Sequence, residues 1–288
     1  MIIANPMYDV VFKRLMENDR AAKFFLSTML GQKVESLELR PQEFTHEDKD
    51  MLMGLRLFRL DFMAVVKTDT GESKKILIKV QKAKEPTDLM RFRNYLAEQY
   101  KKQEIIQNEK TTLPITTIYI LGFTLPEVNT ACVHVARQYR DKINETVMDK
   151  KNDFIECLTH DSYVVQVRRI TGKYKTRLDK LLSVFEQKNF IGDSEIIKEY
   201  THETDDEDVK IIADILHHAG TDPDSKKEIE NEQEALRTFN EMLEGREKKF
   251  LKTIEEQSKT ITEKDKLLEE QRKLIEKLLG EQKDNKDQ

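Results

Sequence analysis

Asp61, Lys79 and Gln81 are the side chains through which this sequence could act on a phosphate. Asp61 is a lone carboxylate in the apolar run LFRLDFMAVV, and Lys79 and Gln81 stand two apart in KILIKVQ. Residues i and i+2 of a strand point to the same side. Two neighbouring strands would therefore set an acid beside an ammonium and an amide. An Asp on one strand and an acid-x-Lys or acid-x-Gln pair on the next can hold a divalent cation and orient a water for phosphodiester hydrolysis. The same residues also suit an ordinary hairpin with one polar face, and the spacing alone leaves both readings open.

Two strands and a tight turn must position these groups. Residues 57–81 supply them, with Thr68-Asp69-Thr70-Gly71 as the turn, since Asp and Gly tolerate the positive φ that tight turns need. Upstream, residues 8–29 read as two short helices broken at Glu17-Asn18-Asp19-Arg20, with Gly31 stopping the second. Asp9 falls in the first turn of the first helix, where its charge suits the helix N-terminus and where a functional role is equally open. Residues 32–44 read as a strand or edge segment before Pro41, and 45–50 as a charged loop. Thr87 can cap a helix over 88–107 whose apolar stripe is Leu89, Phe92, Tyr95, Leu96 and Tyr100, and whose first turns carry Arg91 and Arg93.

Further strands are expected at 113–123, 132–138 and 163–170, a short piece at 154–158, and a helix at 175–185. A closing pair of helices would carry Ile196, Ile197 and the aliphatic residues from Val209 to Leu216 around the acidic stretch 203–208. That stretch reads as a solvated helix start, and His217 and His218 suit the C-terminal end of the same helix. From Ser225 onward Glu, Lys and Gln dominate. Ile254, Ile261, Leu268 and Ile275 recur every seven residues, while Gln257, Lys264, Gln271 and Leu278 fill the alternate seam positions. This predicts a long helix with a weak coiled-coil seam, its number of strands unspecified. The fold class expected is α/β: a mixed central sheet flanked by helices over 1–220, then a charged helical extension over 221–288.

The 288 residues carry a net charge of −5, so no global basic field advertises nucleic acid, although a basic face can hide in an average. Cys132 and Cys157 lack metal-ligand spacing and read as buried thiols in a reducing, cytoplasmic setting. The N-terminus does not read as a signal peptide, and no apolar run is long enough to predict a membrane span.

Four stretches, taken together, resemble the PD-(D/E)XK nuclease family transposases, relatives of the recombination-promoting nucleases. They are Asp9-Val-Val-Phe12-Lys13, Leu60-Asp61, Ile78-Lys79-Val80-Gln81-Lys82-Ala83, and Met90-Arg91-Phe92-Arg93-Asn94-Tyr95-Leu96. They occur in the family's order and cover roughly residues 5–125. The resemblance implies a restriction-endonuclease-like sheet, Mg2+-dependent DNA cleavage, metal held by Asp61 with help from Asp9, and Gln81 orienting water or phosphate. It further implies DNA phosphates contacted by Lys13, Arg91 and Arg93. One departure bears on activity: the family carries Glu where this chain has Lys79. A charged lysine cannot ligate Mg2+ and repels it at close range. The expectation is a nuclease fold with impaired hydrolysis. The alternatives are an active endonuclease, a degenerate module that binds DNA or self-assembles through its C-terminal helix as a homo-oligomer, and a structural hairpin serving a protein partner.

Overall fold

The computed structural model describes residues 1–43, 60–82, 88–106, 108–172, 175–202 and 204–284. Strand β1 (Ile2–Ala4) leads into helices α1 (Asp9–Glu17) and α2 (Asp19–Leu30), then strands β2 (Val34–Glu43), β3 (Leu60–Thr68) and β4 (Ser73–Gln81). Helix α3 (Asp88–Lys101), the small hairpin β5 (Glu104–Ile106) and β6 (Glu109–Thr111), and strand β7 (Ile115–Leu121) follow. Next come β8 (Cys132–Val135), β9 (Tyr139–Asp141), β10 (Thr146–Met148), α4 (Asp153–Leu158) and β11 (His160–Gln166). A 3-10 turn at Val167–Arg169, α5 (Arg177–Ser183), β12 (Ile197–Glu199), α6 (Glu207–Thr221) and α7 (Pro223–Asp284) complete the chain. Two compact units result, Met1–Gln233 and Glu234–Gln288, so the first turns of α7 belong to the first unit.

The central sheet has six strands in the order β2-β3-β4-β7-β11-β8. β2, β3 and β4 form an antiparallel meander, β7 runs parallel to both β4 and β11, and β8 closes the far edge antiparallel. Parallel neighbours need a crossover, and α3 lies in the one between β4 and β7. Pro41 lies in β2, an edge strand, where a missing N–H costs least.

Alternation along the strands divides the apolar residues between two faces. Phe62, Ala64, Val66, Ile76, Ile78 and Val80 join the larger core with residues of α1, α2, α5 and α6. Phe12 is its hub, with ring centroids 5.1 Å from Phe62, 5.7 Å from Phe25 and 6.3 Å from Phe185. Met63 and Leu77 face the other way, under Phe92, Tyr95 and Leu96 of α3.

The two-helix start forms as the sequence implies. Asn18 ends α1 and caps α2, its side chain accepting from the Ala21 N–H at 3.0 Å, and Gly31 ends α2 at φ 64°. From residue 204 to 208 the acidic stretch serves as a helix start: Asp206 caps α6, and Asp208 pairs with Arg20 and Arg177.

Elsewhere the structure differs. The helix expected over 88–107 stops at Lys101, because Glu104 turns inward to meet Lys75 and the chain enters the β5–β6 hairpin. Ile196 and Ile197 are not helical. Ile197 begins β12, which pairs with β1, an N-terminal strand the sequence reading missed; the chain end is apolar on its inner side and needs a partner. Residues 154–158 belong to a short helix capped by Asn152. The strand expected at 163–170 runs His160–Gln166 instead and passes into the 3-10 turn. Both cysteines are free and half-buried rather than buried. The loop at 45–50, Thr87 and the hairpin's start at 57–59 lie outside the described residues. Among the described residues no helix is long and apolar enough to cross a membrane.

Candidate functional site

The turn after β3 sets the register that matters. Gly71 adopts φ 84° and its N–H donates to the Thr68 carbonyl at 2.9 Å. With Lys67 opposite Ser73, the pairing runs back to Asp61 opposite Lys79. Directly opposed residues of opposite charge on an antiparallel pair have Cβ atoms about 4.5–5.5 Å apart, close enough to interact. Lys79 is only 8% exposed, on the side of β4 that carries Leu77 and faces α3. Gln81 follows on the same side at the end of the strand and is half-buried. The structure therefore brings Asp61, Lys79 and Gln81 together at the level of backbone register. The Asp61 carboxylate and the Arg91 side chain lie outside the described residues.

Lys13 and Arg93 sit on opposite faces of the sheet, since α1 packs on the larger core and α3 on the smaller one. Arg93 is exposed and Lys13 half-buried. The structure therefore does not bring these two cations together at one site. Asp9 stands in the first turn of α1, and that turn reaches the same end of β4 as Gln81: Tyr8, just before α1, accepts a hydrogen bond from Lys82 Nζ at 2.6 Å.

That contact opens onto a cluster that sequence reasoning missed. Tyr8 occupies the N-cap position of α1 without a side-chain capping bond. Glu232 of α7 takes over the function, its two oxygens accepting the Asp9 N–H at 2.8 Å and the Val10 N–H at 3.1 Å. A carboxylate at a helix N-terminus satisfies orphan donors and meets the positive end of the dipole. Burial still pushes the Glu232 carboxyl above its ordinary range, opposed by those two N–H bonds and the nearby Lys82. Burial likewise pushes the Lys82 ammonium down, with Glu195 at 3.8 Å acting in the other direction. Tyr8 in turn donates to the Ser194 carbonyl at 3.2 Å, and its phenol is raised mainly by burial. No local signal could have exposed this group, because Tyr8, Lys82, Glu195 and Glu232 are far apart in the chain.

Gly122, just after β7, makes the close approach possible. Its N–H donates to the Gln81 carbonyl at 2.8 Å, its carbonyl accepts from Arg168 Nε at 2.6 Å, and a Cβ there would stand 2.2 Å from the Lys82 carbonyl oxygen. The ends of β4, β7 and β11 are thereby interlocked. Gly122→Ala must push backbone against backbone. We expect a loss of about 1–3 kcal/mol in urea denaturation; a loss within error of zero would show that the Lys82 turn can yield.

Lys79, in its charged form, is not a ligand for a divalent metal. Mg2+ takes oxygen ligands in near-octahedral geometry, and the position opposite Asp61 holds an ammonium. Among the described residues no group of three or more His, Cys, Asp or Glu is placed to hold a metal ion. At the level of register the hairpin sets Lys79 opposite Asp61, with Gln81 two residues on and the exposed Arg93 on the covering helix. No protein-family model, curated protein or solved structure matches the chain.

Proposed function

We propose that this chain is a nuclease-fold protein of the PD-(D/E)XK type, related to the family transposases, that binds DNA through its phosphates and whose hydrolytic centre is impaired. The observation that carries the reading is the pairing of Asp61 with Lys79 across β3 and β4. That register puts a lysine on β4 in the place where the family would put the second acid. The reading is further supported by the order of the elements: the four stretches that resemble the family fall on α1, β3, β4 with the residues just after it, and α3. Lys13, Arg91 and Arg93 supply cationic contacts that position a DNA backbone without reading its sequence. With a net charge of −5, attraction to DNA has to be local and strongly salt-dependent.

A second reading, an active endonuclease, needs a ligand in place of Lys79; Asp9 stands at the same end of β4 as Gln81, although α1 packs on the opposite face of the sheet.

Plasmid nicking in Mg2+ or Mn2+ separates the two. The natural chain is expected not to nick, and Lys79→Glu to gain metal-dependent nicking together with a metal-dependent rise in Tm. Nicking by the natural chain would establish the second reading. Duplex binding is expected to persist in EDTA, and neutralising Lys13, Arg91 and Arg93 together should flatten the slope of log K against log salt by about 3. An unchanged slope would remove these residues from the interface, and no binding at all would end the DNA reading.

A further inference from the structure

From residue 241 to residue 273, every position of α7 whose side chain is described is exposed. Large apolar groups stand among them: Ile254, Ile261 and Leu268 are 60%, 59% and 55% exposed, and Phe250 is 68% exposed. Monomers seldom expose apolar residues in a continuous line. Ile254, Ile261 and Leu268 recur every seven residues, which keeps them on one seam of a left-handed supercoil. The seam continues at Ile275 in the sequence.

Charge selects the occupant. Residues 234–288 hold thirteen Lys and Arg against fourteen Asp and Glu, interspersed along the segment. Neither a polyanion nor a strongly charged protein surface is complementary to such a segment, whereas an identical segment is. Several of these charges are already paired along the helix, as in Lys259–Glu255 at 2.9 Å and Lys273–Glu269 at 3.5 Å, and leave the seam to its apolar residues.

The seam also selects direction. Its alternate positions are Gln257, Lys264 and Gln271. In a parallel pair in register, equivalent residues meet: isoleucine and leucine layers face themselves, and each glutamine faces a glutamine, whose amide both donates and accepts. Lys264 can extend toward the partner's Asp265 at the flanking position. An antiparallel pair would set each aliphatic layer against a Gln or Lys and leave both poorly served. Two strands enclose their seam layers less fully than three or four do, so glutamine and lysine layers cost least in a pair.

We infer that α7 joins two copies of this chain as a parallel, in-register, two-stranded coiled coil. The polar layers lower its stability and fix its register. The inference does not rest on the nuclease reading, because it uses only residues of the second unit.

Sedimentation equilibrium of the full chain tests it, with the 33.9 kDa monomer as reference. A twofold mass is expected, with Ile254→Asp combined with Leu268→Asp returning the monomer while core circular dichroism and Tm persist. In a Cys132→Ser, Cys157→Ser background, Ile254→Cys and Leu268→Cys should each link the two chains on mild oxidation. Lys266→Cys, off the seam, should not. A monomer at all concentrations, a mass of three or more chains, or a dimer that survives the double aspartate variant would overturn the inference. So would linkage at only one of the two seam positions, or linkage at Lys266→Cys as readily as on the seam.

Discussion

Glu104→Ala is expected to destabilise the first unit by about 3–5 kcal/mol, measured by urea denaturation of the full chain. Lys75 and Glu104 are 1% and 5% exposed and meet at 2.8 Å beneath the end of α3. The ammonium also donates to the Gln99 and Lys102 carbonyls at 3.4 and 3.3 Å, where the last turn of the helix lacks intrahelical partners. Removing the carboxylate leaves a buried cation with carbonyl dipoles alone. The pair itself need not stabilise: two charges taken from water cost about as much as their attraction returns. The double change Lys75→Met, Glu104→Leu should therefore recover most of the loss. A double variant as unstable as Glu104→Ala would mean that the pair specifies the β5–β6 hairpin rather than only neutralising itself. A loss under about 1 kcal/mol in the single variant would mean that water reaches the site.

Lys198 should make stability depend on pH between about 7 and 10.5. It is 2% exposed in β12, and its ammonium donates to the Glu186 carbonyl. Burial pushes its pKa from 10.5 down to about 7, with the Glu186 carboxylate opposing the fall. Between these two values the unfolded chain holds a proton that the folded chain lacks, so stability rises with pH. The contribution is complete above 10.5 and is lost as pH falls to about 7, below which both states are charged and the slope ends. Its full span is on the order of 4–5 kcal/mol. Denaturation at a series of pH values should show the slope in the natural chain and a flatter profile in Lys198→Met. Parallel profiles would mean that Lys198 stays charged in the folded state.

Much of the frame could be read locally. Asn18 and Gly31 end helices by their own backbone preferences, and the turn ending at Gly71 sets the β3–β4 register, so Asp61 opposite Lys79 follows from counting back along two strands. The mixed sheet, too, was implied by strands that alternate with a helix. What escaped was what long-range partners decide. The helix after Asp88 carried no stop signal at Lys101, and only a buried Lys75 explains why Glu104 turns inward. β1 is too short to announce itself and exists because β12 pairs with it.

The hairpin's pairing was thus determined by the sequence alone, since the turn and the strand period suffice to set Lys79 opposite Asp61. Its surroundings were decided only by tertiary structure. Tyr8 is a poor helix cap by itself, and α1 is completed by Glu232, 223 residues beyond Asp9. Burial then moves the Glu232 carboxyl and the Lys82 ammonium toward their neutral forms. Local propensity acts over a few residues, whereas desolvation and charge pairing act wherever the fold brings groups together. The end of β4 is where this chain's distant segments converge.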